Sequence, residues 1–466
     1  MKTLKYIAII LSLAFIIYGC SVNPVTGKRE LMIFTDEQEI NFGKESDPDI
    51  QWQFGGVYND QQLSAYVEAV GQKTAAVSDR NKIPYHFKIV DTSDINAFAL
   101  PGGYIYITRG LLARLENEAQ LSAVLGHEIG HVNARHSMKR MQNTLGFQVL
   151  LTILDQAASG SKSYQEWRGL VKTGSSVAFA AVSLGYGREN EFEADALGTK
   201  YASRAGYDPQ GMIQLLQLLK NLSEREPSSI ELFFMSHPKT SDRIKKANEE
   251  IAKLPSQNQK GVFNQDEYKS KISDLLIVQK AYEHYDKGEE FRSKGNYSQA
   301  LNEYNQALSI RNIAKAHYGI GRVYFAQGKY NDAINEYKTT LKIDPGFVFA
   351  HNSMGIAYMN LKQYDNAVTS FKKAASLYEN FDDAWANLGE AYYYLKQYTD
   401  GIKALEMALT LNAEHPRAWT TLGLTYEATG DKQKAIESYE QAIKVAPKES
   451  YTETARQRLS ELKKSQ

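Results

Sequence analysis

Residues 118–131 read EAQLSAVLGHEIGH. This stretch contains no proline and is rich in helix-forming residues, so it is predicted to be an α-helix. Histidines four residues apart on a helix differ by about 40° around its axis and about 6 Å along it. His127 and His131 can therefore reach one metal ion, and Glu128 lies beside that ion as the proton acceptor for an attacking water.

A catalytic zinc ion needs a third protein ligand and an open position. Residues 188–195 (RENEFEAD) form a second predicted helix, which is rich in carboxylates. Glu191 and Asp195 share one face of that helix because they lie four residues apart. We assign Glu191 to the metal and Asp195 to a supporting position, where a carboxylate fixes the tautomer of a ligating histidine. Glu193 is expected to point away, and the predicted cofactor is one Zn²⁺ per chain.

His136 is not predicted to be a ligand. On a continuous helix it lies about half a turn out of phase with His127, so it should face the opposite side. Two unrelated histidines on an ordinary helix are the alternative interpretation of the motif, and the acidic second helix disfavours it. A purely structural zinc site is also disfavoured, because such sites usually have four closed ligands, often cysteine.

A repeat fills the C-terminal half of the chain. The motif Gly-x-x-Tyr/Phe recurs about every 34 residues, which is the tetratricopeptide period. The number of copies exceeds the roughly three that a stacked solenoid of helix pairs needs, so this half is predicted to be all-α. The motif glycines are Gly288, Gly321, Gly355, Gly389 and Gly423.

The sequence before residue 254 lacks this period and mixes helical segments with a strand-like stretch, which indicates an α+β unit. The predicted fold class is a mostly helical, zincin-like α+β peptidase domain followed by an all-α repeat solenoid. The polar residues 255–261 mark the boundary. The predicted domains are a lipoprotein signal peptide (1–19), the peptidase domain (20–254), a linker with a connecting helix (255–280), five repeats (281–450) and a C-terminal capping helix (451–466).

The N-terminus has the three parts of a signal peptide, namely two lysines, an apolar run and a small residue before Cys20. The run, residues 6–18, is shorter than the roughly 20 residues that a membrane-spanning helix needs. The sequence Ile17-Tyr18-Gly19-Cys20 resembles the lipobox of bacterial lipoproteins, in which the cysteine is acylated. An unmodified cysteine after an uncleaved apolar stretch is the alternative.

Cys20 is the only cysteine, which excludes an internal disulfide and a thiolate metal site. Ser21 resembles the residue that sorts bacterial lipoproteins to the outer membrane. These resemblances imply a lipid anchor on the periplasmic side of the outer membrane, within the bacterial cell envelope.

The net charge of the chain is zero, because 54 basic residues balance 54 acidic ones. No whole-chain basic field is available to hold a polyanion. Nucleic acid is therefore not an expected partner.

Together these segments resemble the zinc metallopeptidases grouped around HtpX, the Oma-type mitochondrial proteases and the BepA-like proteases. In that family two histidines and the first glutamate of a Glu-x-x-Ala-Asp string hold the zinc. The resemblance implies the ligands His127, His131 and Glu191, with Glu128 as the base. The matching segments occur in the family's order, as residues 23–27 (NPVTG), 96–103 (NAFALPGG), 127–131 (HEIGH), 191–195 (EFEAD) and 236–238 (SHP).

Residues 96–108 are predicted to form a strand or hairpin interrupted by a Pro-Gly-Gly turn. The resemblance places this segment beside the zinc cleft, where an edge strand can hold an extended substrate by backbone pairing. A purely structural hairpin is the alternative. The candidate substrate-binding residues are Ala97, Phe98, Ala99, Gly102 and Gly103.

His237 lies in the Ser-His-Pro segment, and the resemblance places it near the metal. There it either fills the open position in a resting state, as a gating ligand, or donates to the oxyanion. A plain turn histidine is the alternative. Arg243 is expected to orient this segment or to neutralise an acid.

Two apolar segments, residues 145–158 and 171–184, resemble the membrane spans of HtpX. Both are shorter than a spanning helix needs, so we interpret them as core or cleft-covering helices. A lid, or a helix lying on the membrane surface, is the alternative.

The leading interpretation is a zinc-dependent endopeptidase of the bacterial cell envelope that hydrolyses misfolded or stalled envelope proteins. The repeats would bind these polypeptide substrates or a protein partner, with an outer-membrane assembly machine as the candidate. The rival interpretation is a lipid-anchored periplasmic chaperone or assembly factor with a latent peptidase site.

Overall fold

The computed structural model describes residues 20–32, 34–142, 185–228, 230–237, 242–448 and 451–464. The predicted signal peptide and both apolar segments, 145–158 and 171–184, lie outside these residues. The chain divides into two compact units, Met1–Gln279 and Lys280–Gln466.

The first unit opens with strands and helices whose ends are fixed by side chains. Strand β1 (Cys20–Val22) pairs antiparallel with β2 (Arg29–Leu31). Helix α1 (Asp36–Gln53) starts with a capping box on Thr35, and α2 (Gln61–Ala75) starts on Asp60, whose side chain accepts from the backbone of Leu63. Such caps satisfy backbone N–H groups that have no partner inside the helix.

A three-stranded sheet in the order β3-β5-β4 forms the β part of the first unit. The central strand β5 runs parallel to β3 and antiparallel to β4. Every residue of β4 and β5 is buried, so both strands contribute to the core. This sheet, in a chain that is otherwise mostly helical, confirms the predicted α+β class. The strands are β3 (His86–Val90), β4 (Ala97–Leu100) and β5 (Tyr104–Thr108).

A tight turn, Pro101–Gly103, joins β4 to β5 and packs against α1. Gly102 has φ +77°, a left-handed conformation that favours glycine. A Cβ on Gly102 would lie 2.6 Å from the backbone of Ile40, so only glycine fits at this close approach. The turn therefore fixes the position of the β4–β5 hairpin relative to α1.

The helix predicted from residues 118–131 occupies the centre of the first unit. After the short α3 (Arg109–Leu112), α4 (Glu118–Asn133) starts on the cap Asn117, and all of its residues are buried. The helix ends at Asn133, and Arg135 then takes a left-handed conformation with φ +58°. Residues 136–142 are helical again after this break. A helix buried on all sides belongs to the core of its domain.

Helix α5 (Arg188–Arg204) packs directly on α4 through residues without large side chains. A Cβ built on Gly126 or on Gly130 would lie 3.1–3.2 Å from the backbone of Gly198 or of Ala194, respectively. The two helices can approach this closely only because the contact residues are small. Helices α6 (Gln210–Arg225), α7 (Glu231–Ser236) and α8 (Arg243–Lys253) complete this part of the unit.

The segment predicted as a linker is folded against the first unit. Val262 forms a parallel bridge with Tyr207, and α9 (Gln265–Lys271) carries the fully buried Tyr268. The Tyr268 hydroxyl donates to the carbonyl of Leu112 at 2.6 Å. The first compact unit accordingly extends to Gln279.

The second unit is a succession of helix pairs, each of which carries one of the motif glycines. In four of the pairs the glycine of the first helix faces an aromatic ring of the second, so that an added Cβ would lie 2.4–2.6 Å from the ring. These rings belong to Tyr304, Tyr337, Phe371 and Tyr439, and Leu405 takes the corresponding place beside Gly389. The recurring contact explains why glycine appears once per repeat.

The helices of these pairs follow one another along the chain at regular intervals. They are α10 (Ser273–Ser293), which begins in the first unit, α11 (Tyr297–Ile310), α12 (Ala314–Ala326), α13 (Tyr330–Ile343), α14 (Val348–Asn360), α15 (Tyr364–Leu377), α16 (Asp382–Tyr394), α17 (Tyr398–Leu411), α18 (Pro416–Thr429), α19 (Lys432–Val445) and the last helix, α20 (Tyr451–Lys464). Across the described ranges, no helix has both the length and the apolar character needed to cross a membrane.

Gly198→Ala should destabilise the α4–α5 pair, because the added methyl carbon would lie 2.7 Å from the backbone nitrogen of His127. Overpacking of about 1–3 kcal/mol should outweigh the helix propensity gained, roughly 1 kcal/mol, since backbone atoms cannot rotate away. Faster hydrogen–deuterium exchange in peptides from both helices would show this loss.

Gly346→Ala is the matched control, because Gly346 is exposed and the nearest atom to its added methyl is a side-chain oxygen at an ordinary 3.4 Å. Unchanged protection of α4 and α5 in Gly198→Ala would contradict the proposed role of close helix packing.

Candidate metal centre

Four buried side chains from three parts of the first unit converge on one point. His127 and His131 come from α4, Glu191 comes from α5, and His237 follows α7 directly. One nitrogen or oxygen atom of each lies within 4.8 Å of the others. The structure thus brings together the three predicted ligands and the predicted gating residue.

Short distances connect the members of this cluster. Nε2 of His127 lies 3.0 Å from Nε2 of His131 and 3.4 Å from Nδ1 of His237. Nδ1 of His237 is also 3.0 Å from Oε1 of Glu191, and Nε2 of His131 is 3.5 Å from that same oxygen. Nε2 of His127 lies 3.7 Å from Oε2 of Glu191, so the Nε2 atoms of both α4 histidines point to the carboxylate.

Glu128 lies at the edge of the cluster and is fully buried. Among the described residues neither of its carboxylate oxygens has a hydrogen-bond partner. Nε2 of His237 lies 3.6 Å from its Oε1. Burying a carboxylate without a hydrogen-bond partner destabilises a folded protein. Stability therefore does not explain the presence of Glu128 at this position.

Asp195 supports the first histidine from behind. Its Oδ1 lies 2.9 Å from Nδ1 of His127, the ring nitrogen opposite the cluster. Arg243 donates to Asp195 through Nε and Nη2, both at 2.7 Å, and its Nη1 lies 3.0 Å from Oε2 of Glu191. One buried guanidinium therefore holds the supporting carboxylate and the candidate ligand in place.

The surroundings shift the pKa values of the three buried acids in two directions. Burial by itself raises the pKa of Glu191 and of Asp195, but nearby charges reverse the effect. His237 and Arg243 hold the pKa of Glu191 well below its usual value, and Arg243 lowers the pKa of Asp195. Glu128 differs because burial dominates and raises its pKa. Two acids are kept ionised beside a third that takes up a proton more readily, as a ligand set and a base require.

His136 contacts the cluster, contrary to the expectation that it faces the opposite side. Its Nδ1 lies 2.9 Å from Nδ1 of His131. The phase argument was wrong because it assumed one continuous helix, whereas α4 ends at Asn133 and Arg135 interrupts it. His136 does not belong to the group of four converging side chains.

Glu193, which was expected to point away, lies outside the converging group and contacts His136. Its Oε2 is 3.1 Å from Nε2 of His136. This hydrogen bond lowers the pKa of Glu193. The α5 carboxylates thus reach both histidines of α4, Asp195 directly and Glu193 through His136.

Two aromatic rings, which the sequence did not single out, hold the imidazoles in place. Tyr186 stacks on His131 with ring centroids 3.8 Å apart, and its hydroxyl lies 2.7 Å from that of Ser137. Phe233 stacks on His237 at 4.8 Å. No motif or periodicity marks either residue in the sequence.

The structure places only one of the five predicted substrate-binding residues beside the cluster. The carbonyl oxygen of Ala97 lies 3.3 Å from Nε2 of His237, so strand β4, an edge of the sheet, begins beside the cluster. Phe98 instead packs between the rings of Phe54 and Tyr106 in the core. Ala99 is buried in β4, and Gly102 and Gly103 form the turn at the far end of that strand. Cys20, the predicted lipidation site, begins strand β1.

The residues of the cluster fit a zinc ion. Neutral imidazole nitrogens and a carboxylate oxygen are the usual ligands of catalytic zinc. Burial holds the pKa of His131 well below its usual value, so its ring is neutral and can offer a lone pair. The carboxylate of Glu128, which has no hydrogen-bond partner in the described part of the chain, lies beside these donors, where a water on the ion would need a base.

Comparison with known proteins gives the same division of the chain. The model of peptidase family M48 matches residues 61–251. Tetratricopeptide-repeat models match residues 288–325, 321–362, 348–381 and 382–448. These matches confirm the resemblance seen in the sequence, namely an M48 peptidase domain followed by tetratricopeptide repeats.

Several named proteases are similar to part of the chain. They include the beta-barrel assembly-enhancing protease of Escherichia coli (29% identical over 188 residues), the mitochondrial metalloendopeptidase OMA1 of Schizosaccharomyces pombe (27% over 232 residues) and the metalloprotease YcaL of Escherichia coli (29% over 172 residues). The alignments cover 40%, 48% and 37% of this chain. They span 38%, 65% and 64% of the respective relatives.

Arg243→Met should destabilise the site, because Asp195 and Glu191 would lose their buried cationic partner. Removing one member of a buried ion pair typically costs about 3–5 kcal/mol. We expect a lower melting temperature by circular dichroism and less zinc per chain by atomic absorption.

Lys245→Met makes a comparable change at an exposed position of the same helix, α8, and should leave both measurements unchanged. Normal melting and normal zinc content in Arg243→Met would show that the two carboxylates do not depend on this residue.

Proposed function

We propose that this chain, in which a peptidase domain of family M48 precedes tetratricopeptide repeats, is a zinc-dependent endopeptidase of the bacterial cell envelope. The observation that supports this best is the buried convergence of His127, His131 and Glu191, with Glu128 beside them. The named relatives are proteases, which supports the same reaction class.

In the proposed mechanism His127, His131 and Glu191 would hold the ion. Zinc, when bound, polarises the scissile carbonyl and makes the attacking water more acidic. Glu128 accepts the proton of that water and then passes it to the leaving amine. Its lack of other hydrogen-bond partners among the described residues leaves both oxygens free for this transfer.

We infer that strand β4 presents the substrate to these groups. An extended peptide can pair with the backbone of an edge strand without regard to its side chains. All five candidates are buried, but Ala97 lies at the end of β4 whose backbone carbonyl faces the cluster, whereas the others continue into the core or form the turn at the far end of the strand. Ala97 is thus the best supported of the five substrate-binding candidates.

His237 is proposed to gate the site. Its Nδ1 lies close to Glu191 and His127, and its Nε2 lies between Glu128 and the carbonyl of Ala97. It therefore occupies the space between the ligands, the base and the strand that would hold the substrate. A side chain there must move before a peptide can enter, and this supports gating over a role as oxyanion donor.

The proposed cellular setting is supported by the sequence and by one relative. We propose that Cys20 carries the lipid anchor and that the protein lies on the periplasmic side of the outer membrane. The relative from Escherichia coli is named a beta-barrel assembly-enhancing protease. On that likeness we propose that the substrates are misfolded or stalled envelope proteins, and that the repeats bind these clients or an outer-membrane assembly machine.

Glu128→Gln should abolish peptidase activity while zinc stays bound, because the amide cannot accept the proton and the ligands are untouched. General-base catalysis typically contributes 10²- to 10⁴-fold, so a loss of at least about 100-fold is expected. The experiment measures hydrolysis of an unfolded protein and zinc per chain, on a soluble form that starts after Cys20.

Glu116→Gln is the control, since Glu116 is exposed and lies just before α4 on the same segment. Retained activity in Glu128→Gln would refute the proposed base. Zinc at one per chain without cleavage by the wild type would instead favour the chaperone with a latent site.

His237→Ala should raise the rate of peptide hydrolysis if this residue closes the resting site. The increase should appear in initial rates measured at equal zinc occupancy, which is checked on the same samples. His86→Ala is a suitable control, because His86 is an exposed histidine of the same unit and lies on β3, at the opposite edge of the sheet from β4. Unchanged or lower activity in a folded, zinc-replete His237→Ala protein would reject gating.

A further inference from the structure

Each of the two histidines of α4 contacts the converging group with one ring nitrogen and a supporting side chain with the other. In both residues Nε2 faces the converging group, at 3.0 Å from its counterpart. In both residues Nδ1 faces away and meets a second side chain at 2.9 Å, Asp195 for His127 and His136 for His131. A metal-ligating histidine normally donates its other N–H to such a partner, which fixes both the tautomer and the ring orientation.

The contacts behind His131 allow one consistent placement of protons. If Nε2 of His131 offers a lone pair to the ion, Nδ1 carries the hydrogen and donates to Nδ1 of His136. His136 then carries its own hydrogen on Nε2, and Oε2 of Glu193 accepts it at 3.1 Å. The chain of contacts thus ends on a carboxylate, as the shorter chain behind His127 ends on Asp195.

Burial shows that His136 is built into the site. It is 2% exposed, and His131 is fully buried, whereas 30% of the Glu193 side chain is exposed. The left-handed residue Arg135 sets the start of the 136–142 helix, and its guanidinium is paired with Asp36 and Glu39. A left-handed non-glycine residue costs roughly 1 kcal/mol or more, so the surrounding structure must hold the break that places His136.

We propose that His136 and Glu193 form a positioning pair that sets the tautomer and ring orientation of His131 as a zinc ligand. This role rests on the proposed function, because it requires that His131 bind zinc. Neither residue touches the substrate or the ion, and both act through His131. The two α4 histidines then have separate supports, one ending on Asp195 and Arg243 and the other on Glu193.

The test measures zinc affinity by competition with a chromophoric chelator. His136→Leu removes the acceptor for His131 and should weaken zinc binding roughly 10- to 100-fold, the usual effect of losing such a partner. His136→Asn keeps an acceptor oxygen close to the position of Nδ1 and should restore most of the affinity. Glu193→Gln keeps the acceptor for His136 but loses the charge, so its loss should be smaller than that of His136→Leu.

Glu189→Gln is the matched control, because Glu189 is an exposed carboxylate on the same helix as Glu193. It should bind zinc as tightly as the wild type. Melting curves of the zinc-free proteins show whether any variant has lost its fold.

A second measurement reports the tautomer itself and needs no variant. In zinc-loaded protein with ¹⁵N-labelled histidine, NMR should show a protonated Nδ1 on His131 and a protonated Nε2 on His136. The opposite pattern in the wild type would overturn the proposal, even if His136→Leu failed to fold.

The outcomes separate this role from the proposed function. Wild-type zinc affinity in a folded His136→Leu protein would refute the positioning pair and leave the peptidase proposal intact. Equal losses in His136→Leu and His136→Asn would also refute it, because the acceptor would then be irrelevant. A wild-type protein that binds no zinc would refute the proposed function and the positioning role together.

Discussion

The close contact between α4 and α5 is the constraint on which the site depends. Gly126 and Gly130 face Gly198 and Ala194 at distances that leave no room for larger side chains. Both helices carry their ionisable residues next to this contact, so the small residues bring Glu191 within reach of the two histidines. Close packing therefore positions the site. A methyl group added at this contact would push the two helices apart and move Glu191 away from the two histidines.

Charge balance is the second condition that the buried site must meet. The carboxyl groups of Glu128, Glu191 and Asp195 outnumber the two basic side chains, Arg243 and His237, that face them in the described part of the chain, while burial keeps His131 neutral. Uncompensated charges of this kind are costly in a buried environment. A divalent cation would offset the excess of negative charge, so the electrostatics and the donor geometry support the same proposal. The stacked rings of Tyr186 and Phe233 hold the imidazoles that complete the arrangement.

Much of the candidate site could be predicted because its key spacings are local. His127 and His131 share a helix face by helical geometry alone, and so do Glu191 and Asp195. The repeats could be predicted for the same reason. Each motif glycine contacts a large side chain of its own helix pair, so the requirement for glycine recurs at a fixed spacing. His136 could not be placed in this way, because one left-handed residue, Arg135, breaks the helix and invalidates the phase argument. Nothing in the sequence marked Tyr186 or Phe233, whose roles depend on stacking against residues far along the chain.

The sequence by itself determined the helices, the repeat period and the residue types able to bind a metal, because these follow from short-range geometry and from side-chain chemistry. Only the tertiary structure decided which of these groups meet. His237 reaches His127 from 110 residues away, and Arg243 reaches Asp195 from 48 residues away. Such approaches depend on how the hairpin, α4, α5 and α8 pack together, and packing is set by the burial of the whole domain rather than by any local pattern.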